Sequence, residues 1–160
     1  MSNLILADGK EIQISSGQKI YDAIKEPMGE TVKNTVAVRM GDKLVDLGAN
    51  VQPDTTLVPV FNDDQDVAAL EILRHSCSHL LAQAVRQIYG EKVQYTIGPA
   101  LVNDFKYGFY YDFDLPEPIR LEDLPKIEKL MSKLAKERQF FQRSEVSYDQ
   151  ARETFRQLGQ

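Results

Sequence analysis

The sequence predicts an α+β chain built from two modules, and three patterns carry that reading. Residues 1–62 hold short apolar runs punctuated by turn residues, with one helical stretch among them. Residues 67–89 keep a helical period without a break. An alternating aromatic run at 109–115 is then followed by a second helical stripe.

In the first module, Leu4, Leu6, Ile12 and Ile14 lie on either side of Ala7-Asp8-Gly9-Lys10. Asp-Gly between alternating apolar residues is a strong hairpin signal. Ser15-Ser16-Gly17 offers caps for a short helix carrying Ile20, Ala23 and Ile24, which should end near Pro27 and Gly29. Val36, Val38 and Met40 alternate into a turn at Gly41-Asp42, with Leu44, Val45 and Leu47 beyond it, and a last strand spans Thr56 to Phe61 after Pro53-Asp54. Two strands, a helix and further strands predict a small ubiquitin-like β-grasp domain over 1–62. A domain of roughly 60 residues is marginal in stability but viable.

The acidic run Asn62-Asp63-Asp64-Gln65-Asp66 marks the expected boundary. It also puts negative charge at the start of the next helix, where the macrodipole favours it. The second module, 63–160, opens with a helix from Val67 to Tyr89 ended by Gly90. Thr96 to Val102 is extended but interrupted at Gly98-Pro99. The strand Phe109 to Leu115 places Phe109, Tyr111, Phe113 and Leu115 on one face, and Pro116 and Pro118 close it. A helix from Glu122 to Phe140 carries Ile127, Leu130, Met131 and Leu134 as its stripe. Ser147 with Gln150 three residues on makes a capping box for a last helix holding Ala151, Phe155 and Leu158. The pattern stops at Gln160, where a further strand would be expected.

Composition bounds the function. With 42% hydrophobic and 27% charged residues, the chain has the profile of a globular protein. No run approaches the about eighteen apolar residues of a membrane span, and the N-terminus lacks a signal-peptide pattern. A single cysteine allows no internal disulfide, which fits a reducing, cytoplasmic setting. The net charge of −5 argues against a protein that coats nucleic acid, because phosphate neutralisation drives such binding. Any tRNA contact must be local or be supported by parts of a larger chain.

Both histidines fall in Arg74-His75-Ser76-Cys77-Ser78-His79. Their i, i+4 spacing puts the imidazoles on one helical face. At roughly 100° per residue, Leu70, Leu73, Cys77, Leu80, Leu81, Ala84 and Ile88 form an apolar stripe, and His75, His79 and Arg86 project almost opposite it. Two readings stay open on the residues alone. The face is solvated and its histidines incidental, or the imidazoles line a cleft as metal ligands or as groups that orient a water. A zinc site would need a third protein ligand. Cys77 sits on the other side of the wheel and reads as a buried thiol, and no other Cys or His remains. No metal ligand is therefore assigned beyond His75 and His79, and this region requires no cofactor.

Glu71-Ile72-Leu73-Arg74-His75-Ser76-Cys77-Ser78-His79-Leu80-Leu81-Ala82-Gln83-Ala84 closely resembles the opening of the editing domain of bacterial-type threonyl-tRNA synthetases. Ile97-Gly98-Pro99, Gly108 to Phe113, and Leu121-Glu122-Asp123-Leu124 through Ile127-Glu128 and Met131 continue the match in order. Upstream, Asp8-Gly9 and Gly41 to Leu47 resemble the TGS domain that precedes it. The segment Ala100 to Tyr107 is longer than the family pattern, and the family's later C-x-x-x-H element is missing. The resemblance implies a TGS domain over 1–62 and the first part of the editing domain over 63–160. It implies an enzyme that joins threonine to tRNA(Thr), with ATP, magnesium and zinc in a catalytic domain elsewhere and homodimerisation through that part. It also implies that this region helps hydrolyse mischarged seryl-tRNA(Thr), with His75 and His79 as catalytic residues acting on the water and the tRNA 3′ end. Alone, the region should be inactive or nearly so.

Further tRNA-contact candidates are Arg86, Tyr110, and Lys126, Lys129, Lys133 and Lys136. Tyr110 could stack on a base, whereas its neighbours Phe109, Tyr111 and Phe113 read as core. The four lysines share one helix face, which is either a solvated face interleaved with Glu128 and Glu137 or a strip for the acceptor stem. Two rival classes remain: a free-standing metal-dependent hydrolase, and a non-catalytic RNA-binding or interaction module.

Overall fold

A computed structural model describes residues 2–6, 9–15, 17–52, 54–104, 106–139 and 144–159. The chain divides into two compact units, Met1–Ile72 and Leu73–Gln160, each with its own hydrophobic core. The architecture is α+β.

In the first unit, β1 (Ser2–Leu6) and β2 (Glu11–Ile14) form an antiparallel hairpin. Its turn is closed by the Gly9 amide donating to the Leu6 carbonyl at 2.8 Å, with Gly9 at φ 83°. Asp8, half of the turn signal, lies outside the described residues. Helix α1 (Ile20–Met28) follows, then a 3-10 turn, Gly29–Asn34. Strands β3 (Thr35–Met40), β4 (Lys43–Val45) and β5 (Thr55–Phe61) complete a mixed sheet of order β2-β1-β5-β3-β4. The parallel pair β1 and β5 lies at its centre, and every other pairing is antiparallel. This is the β-grasp order. Ile20, Ala23 and Ile24 of α1 pack against Leu6, Ile14, Val38 and Leu57, so one apolar helix face meets the alternate residues of the sheet.

The expected serine cap of α1 is not what starts it. Lys19 is the N-cap and contributes no side-chain hydrogen bond, while Ser15 and Gln18 close a separate turn before it. Ser16 lies outside the described residues. Pro27 lies in the last turn of the helix, and Gly29 at φ 55° ends it.

Helix α2 (Val67–Tyr89) has the predicted bounds. Asp66 caps it, its carboxylate accepting from the amides of Ala68 at 2.8 Å and Ala69 at 3.3 Å. Its first turns belong to the first unit, where Ala68, Ala69 and Ile72 pack on Ala37 and Val60. Its remainder is the spine of the second unit, in which Ala84 and Val85 meet Val93, Ile127 and Leu134.

The aromatic strand is shorter than predicted. Only Phe113–Asp114 (β7) pairs regularly, with Gln94–Tyr95 (β6), and an isolated bridge joins Ala100 to Phe109. Five steps from Tyr95 to Ala100 face four from Phe113 to Phe109, so the first strand carries one extra residue around Gly98-Pro99. That bulge interrupts the ladder. Helix α3 is also shorter, spanning Leu124–Lys136 after a 3-10 turn at Leu121–Asp123. Pro125 sits in its first turn, and Arg138 at φ 51° turns the chain away at the other end. Phe140, the predicted end, lies outside the described residues. The predicted stripe holds: Ile127 and Leu134 are buried, with Leu130 and Met131 packed beside them. Helix α4 (Tyr148–Gln157) has the capping box, the Gln150 amide donating to the Ser147 hydroxyl at 3.3 Å and the Ser147 amide to the Gln150 side chain at 3.0 Å. Phe155 and Leu158 on it are exposed.

Candidate functional site

His75 and His79 lie one turn apart on α2, both exposed, with their rings stacked at 4.7 Å between centroids and 22° between planes. Two imidazolium cations at that distance would repel, so the stack favours at least one neutral ring. His79 is that ring. Partial burial pushes its pKa below the ordinary histidine value of 6.5, and the charge of His75 pushes it further the same way. At neutral pH His79 therefore offers a lone pair, which can take a proton from water or hold a polar group.

One residue before His79, the helix is anchored. Ser78 is fully buried, and its hydroxyl lies 2.8 Å from the carbonyls of both His75 and Gly98. Gly98 belongs to the bulge, and it is glycine for a steric reason. A Cβ there would sit 2.8 Å from the Ser78 hydroxyl and inside the van der Waals limit of the Tyr111 ring. Tyr111 in turn stacks on Phe113 at 4.9 Å. Helix, bulge and aromatic strand thus meet at Gly98.

Beside this junction the second unit has a cleft of about 990 Å³. His79, Ala82 and Arg86 line it from α2, Tyr95 and Tyr111 from the aromatic ladder, and Arg138 from the end of α3. Tyr95 meets Tyr111 edge to face at 6.2 Å. Burial, with Tyr95 adding, raises the Tyr111 pKa, so its phenol stays a hydrogen-bond donor through the physiological range. The cleft combines a neutral imidazole, two tyrosines and two guanidinium groups. Arginine guanidinium suits phosphate, and aromatic faces suit stacked bases.

The structure brings only some of the predicted residues together. His79 and Arg86 line the cleft; His75 does not, but its ring stacks on His79. Tyr110 is 47% exposed and absent from the lining; its neighbour Tyr111, read as core from the alternation, faces the cleft instead. Lys126, Lys129, Lys133 and Lys136 are exposed on α3, and none lines the cleft. Cys77 is half-buried, and burial raises its thiol pKa, which keeps it protonated. Among the described residues, no group of three or more His, Cys, Asp and Glu side chains could hold a metal ion. Likewise, among the described residues no helix is long and apolar enough to cross a membrane.

The sequence assigns no site role to Tyr95, Arg138 or Ser78, and it marks Gly98 only as a break in an extended run. The Gly98-Pro99 interruption was the one available signal, and its partners came from elsewhere in the chain. Arg74, next to His75, braces the long segment that follows. Its guanidinium donates to the Leu101 carbonyl, and it lies against Gly108, which has φ 76°. Within that loop the amides of Lys106 and Tyr107 donate to the Asp104 carboxylate at 2.7 and 2.9 Å. The helix that carries the histidines thus reaches this segment through Arg74.

No family model matches the chain. Curated relatives do. The chain is 38% identical over 156 residues to a threonine–tRNA ligase of Oleidesulfovibrio alaskensis, covering 96% of this chain and 23% of that protein. It is 35% identical over 159 residues to the ligase of Symbiobacterium thermophilum, covering 99% and 23%. To the ligase of Thermoplasma volcanium it is 41% identical over 145 residues, covering 91% and 20%. Nearly the whole chain is thus similar to the N-terminal region of threonine–tRNA ligases, and it spans about 23% of the length of the first of these.

Proposed function

We propose that this chain acts as the N-terminal region of a threonine–tRNA ligase and supplies half of a hydrolytic proofreading site. The observation that carries this reading is the stacked histidine pair on α2, with His79 in its neutral form at the edge of a cleft lined by arginine and tyrosine. Similarity to threonine–tRNA ligases supplies the substrate class.

Proofreading answers a physical limit. Serine lacks one methyl of threonine, and a pocket discriminates one methyl by only about 1–3 kcal/mol. A second site that hydrolyses seryl-tRNA(Thr) supplies the remaining selectivity. In that reaction the oxygen of a water bonds to the seryl carbonyl carbon, and the ester bond to the terminal ribose breaks. The proton lost by the water ends on the ribose oxygen, which leaves as a hydroxyl. His79 takes and returns that proton, and His75 holds the ring in place by stacking. Tyr95 and Tyr111 offer faces for the terminal adenine. The first unit is a TGS domain in this reading. ATP, magnesium and zinc serve the aminoacylation part of the ligase, outside this chain.

The test uses the parent ligase. His79→Ala is expected to lower hydrolysis of seryl-tRNA(Thr) by about 10²–10⁴-fold, the usual range for a removed general base, and His75→Ala is expected to lower it less. Threonine attachment should survive in both. Hydrolysis at the parental rate in the His79→Ala ligase would refute the assigned role.

A further inference from the structure

Arg138 sits where a helix end favours glycine or asparagine. It follows α3 and its C-cap Glu137, with φ at 51°, in the left-handed region that an L side chain with a Cβ enters at a cost. Its amide still closes the helix end, donating to the Ala135 carbonyl at 3.4 Å. That role is a backbone one and needs no arginine. The side chain is exposed and lines the same cleft as Arg86, Tyr95, Tyr111 and His79. Neither arginine has an ion-pair partner among the described residues, and Glu91 is the one acidic residue on the cleft lining. Arginine is thus kept at a position where its backbone conformation is unfavourable, beside a second arginine and two aromatic faces. The helix end accounts for that backbone conformation; what it leaves unexplained is a charged side chain there, on the lining of the cleft.

We propose that Arg138 and Arg86 together form a phosphodiester subsite, which grips the backbone of a single-stranded RNA end while its last base lies against Tyr95 or Tyr111. Two planar guanidinium groups match phosphate oxygens, and aromatic faces accept any base. With a net charge of −5 the chain offers no general attraction for phosphate, so contact from this region has to be made by local groups such as this pair. The proposal rests on the cleft being the place that receives the tRNA 3′ end.

The test is binding of a 5′-fluorescein-labelled tetraribonucleotide ending in adenosine, followed by anisotropy across a salt series, with melting temperature measured in parallel. Arg138→Asn and Arg86→Gln are each expected to weaken binding about five- to tenfold at low salt, with a salt slope shallower by about 0.7. Arg138→Lys should keep the salt slope, since the charge stays, while losing part of the affinity with the planar fork. Because asparagine tolerates the left-handed conformation, Arg138→Asn should melt at or above the temperature of the unsubstituted chain. Unchanged affinity and salt slope in Arg138→Asn, or no binding by the unsubstituted chain at low salt, would overturn the proposal. Weaker binding joined to a lower melting temperature would also overturn it, by assigning Arg138 to the fold. Inorganic phosphate that competes at matched ionic strength would mark a site for a free anion instead of RNA. If His79→Ala left hydrolysis intact while Arg138→Asn still weakened RNA binding, the hydrolytic reading would fail and the phosphodiester subsite would stand.

Discussion

Gly98 controls more of the site than its size suggests, because three groups converge on the space where its side chain would be. Ser78 approaches from α2, Tyr111 from the aromatic strand, and the bulge itself supplies the backbone. In Gly98→Ala something must move. The Ser78 hydroxyl is fixed by two carbonyls, so the Tyr111 ring is the part expected to swing, giving up its stack on Phe113. Overpacking of this kind costs about 1–3 kcal/mol. Denaturant unfolding should show that loss, and a crystal structure should show Tyr111 displaced. Native stability in Gly98→Ala would mean that the junction is loose enough to admit a methyl group. His79 gives a second expectation at this scale. Its folded-state pKa is depressed, so folding favours the neutral ring, and the stability that the ring contributes is present above pH 6.5. That stability is lost as pH falls from 6.5 toward the folded-state pKa, because the unfolded chain takes up the proton first. Histidine NMR should report a His79 pKa below 6.5 that rises in His75→Ala, which removes the neighbouring charge. An unmoved His79 titration would show that burial acts alone.

At the scale of elements, what could be read from the sequence was whatever local chemistry decides. Helix α2 has its predicted bounds because Asp66 caps one end and Gly90, at φ 92°, closes the other. Helix α4 begins at its capping box for the same reason. Elements that depend on distant partners were read less well. The helical period puts the apolar stripe of α2 on Leu70, Leu73, Cys77, Leu80, Leu81, Ala84 and Ile88. The fold buries Ser78, Ala82 and Val85 as well, while Leu73 is left 36% exposed on the cleft. A serine on the buried side has no place in a hydrophobic pattern. It is there because the Gly98 carbonyl, twenty residues on, meets its hydroxyl. The same limit applied to the aromatic strand. Alternation separates Tyr110 from Tyr111, but that Tyr111 is the one on the cleft depends on the bulge and on α3. Arg138 was invisible for a related reason, since a positive φ on a charged residue leaves no mark in the sequence.

Over the whole molecule, the two units keep separate hydrophobic cores, although α2 runs through both. The first centres on Ile20, Ile24, Val38 and Leu57, the second on Ala84, Val85, Val93, Ile127 and Leu134. Every side chain assigned to the cleft belongs to the second unit. A cavity in one core should therefore be felt at the histidines only if it lies in the second. Leu57 is fully buried in the central parallel pair, and Leu57→Ala should cost about 2–5 kcal/mol of stability in the first unit. Ile127→Ala should cost a similar amount in the second, where Ile127 shares a core cluster with Ala84 and Val85 of α2. The histidine titration distinguishes the two. In Leu57→Ala, under conditions where the chain is still folded, the His79 pKa should match that of the unsubstituted chain. In Ile127→Ala it should move up toward 6.5, because a loosened α2 face lets water reach the ring and weakens the burial that depresses it. If Leu57→Ala shifted His79 as far as Ile127→Ala does, the β-grasp core would be helping to set the chemistry of the site, and the cleft could not be treated as the property of the second unit alone.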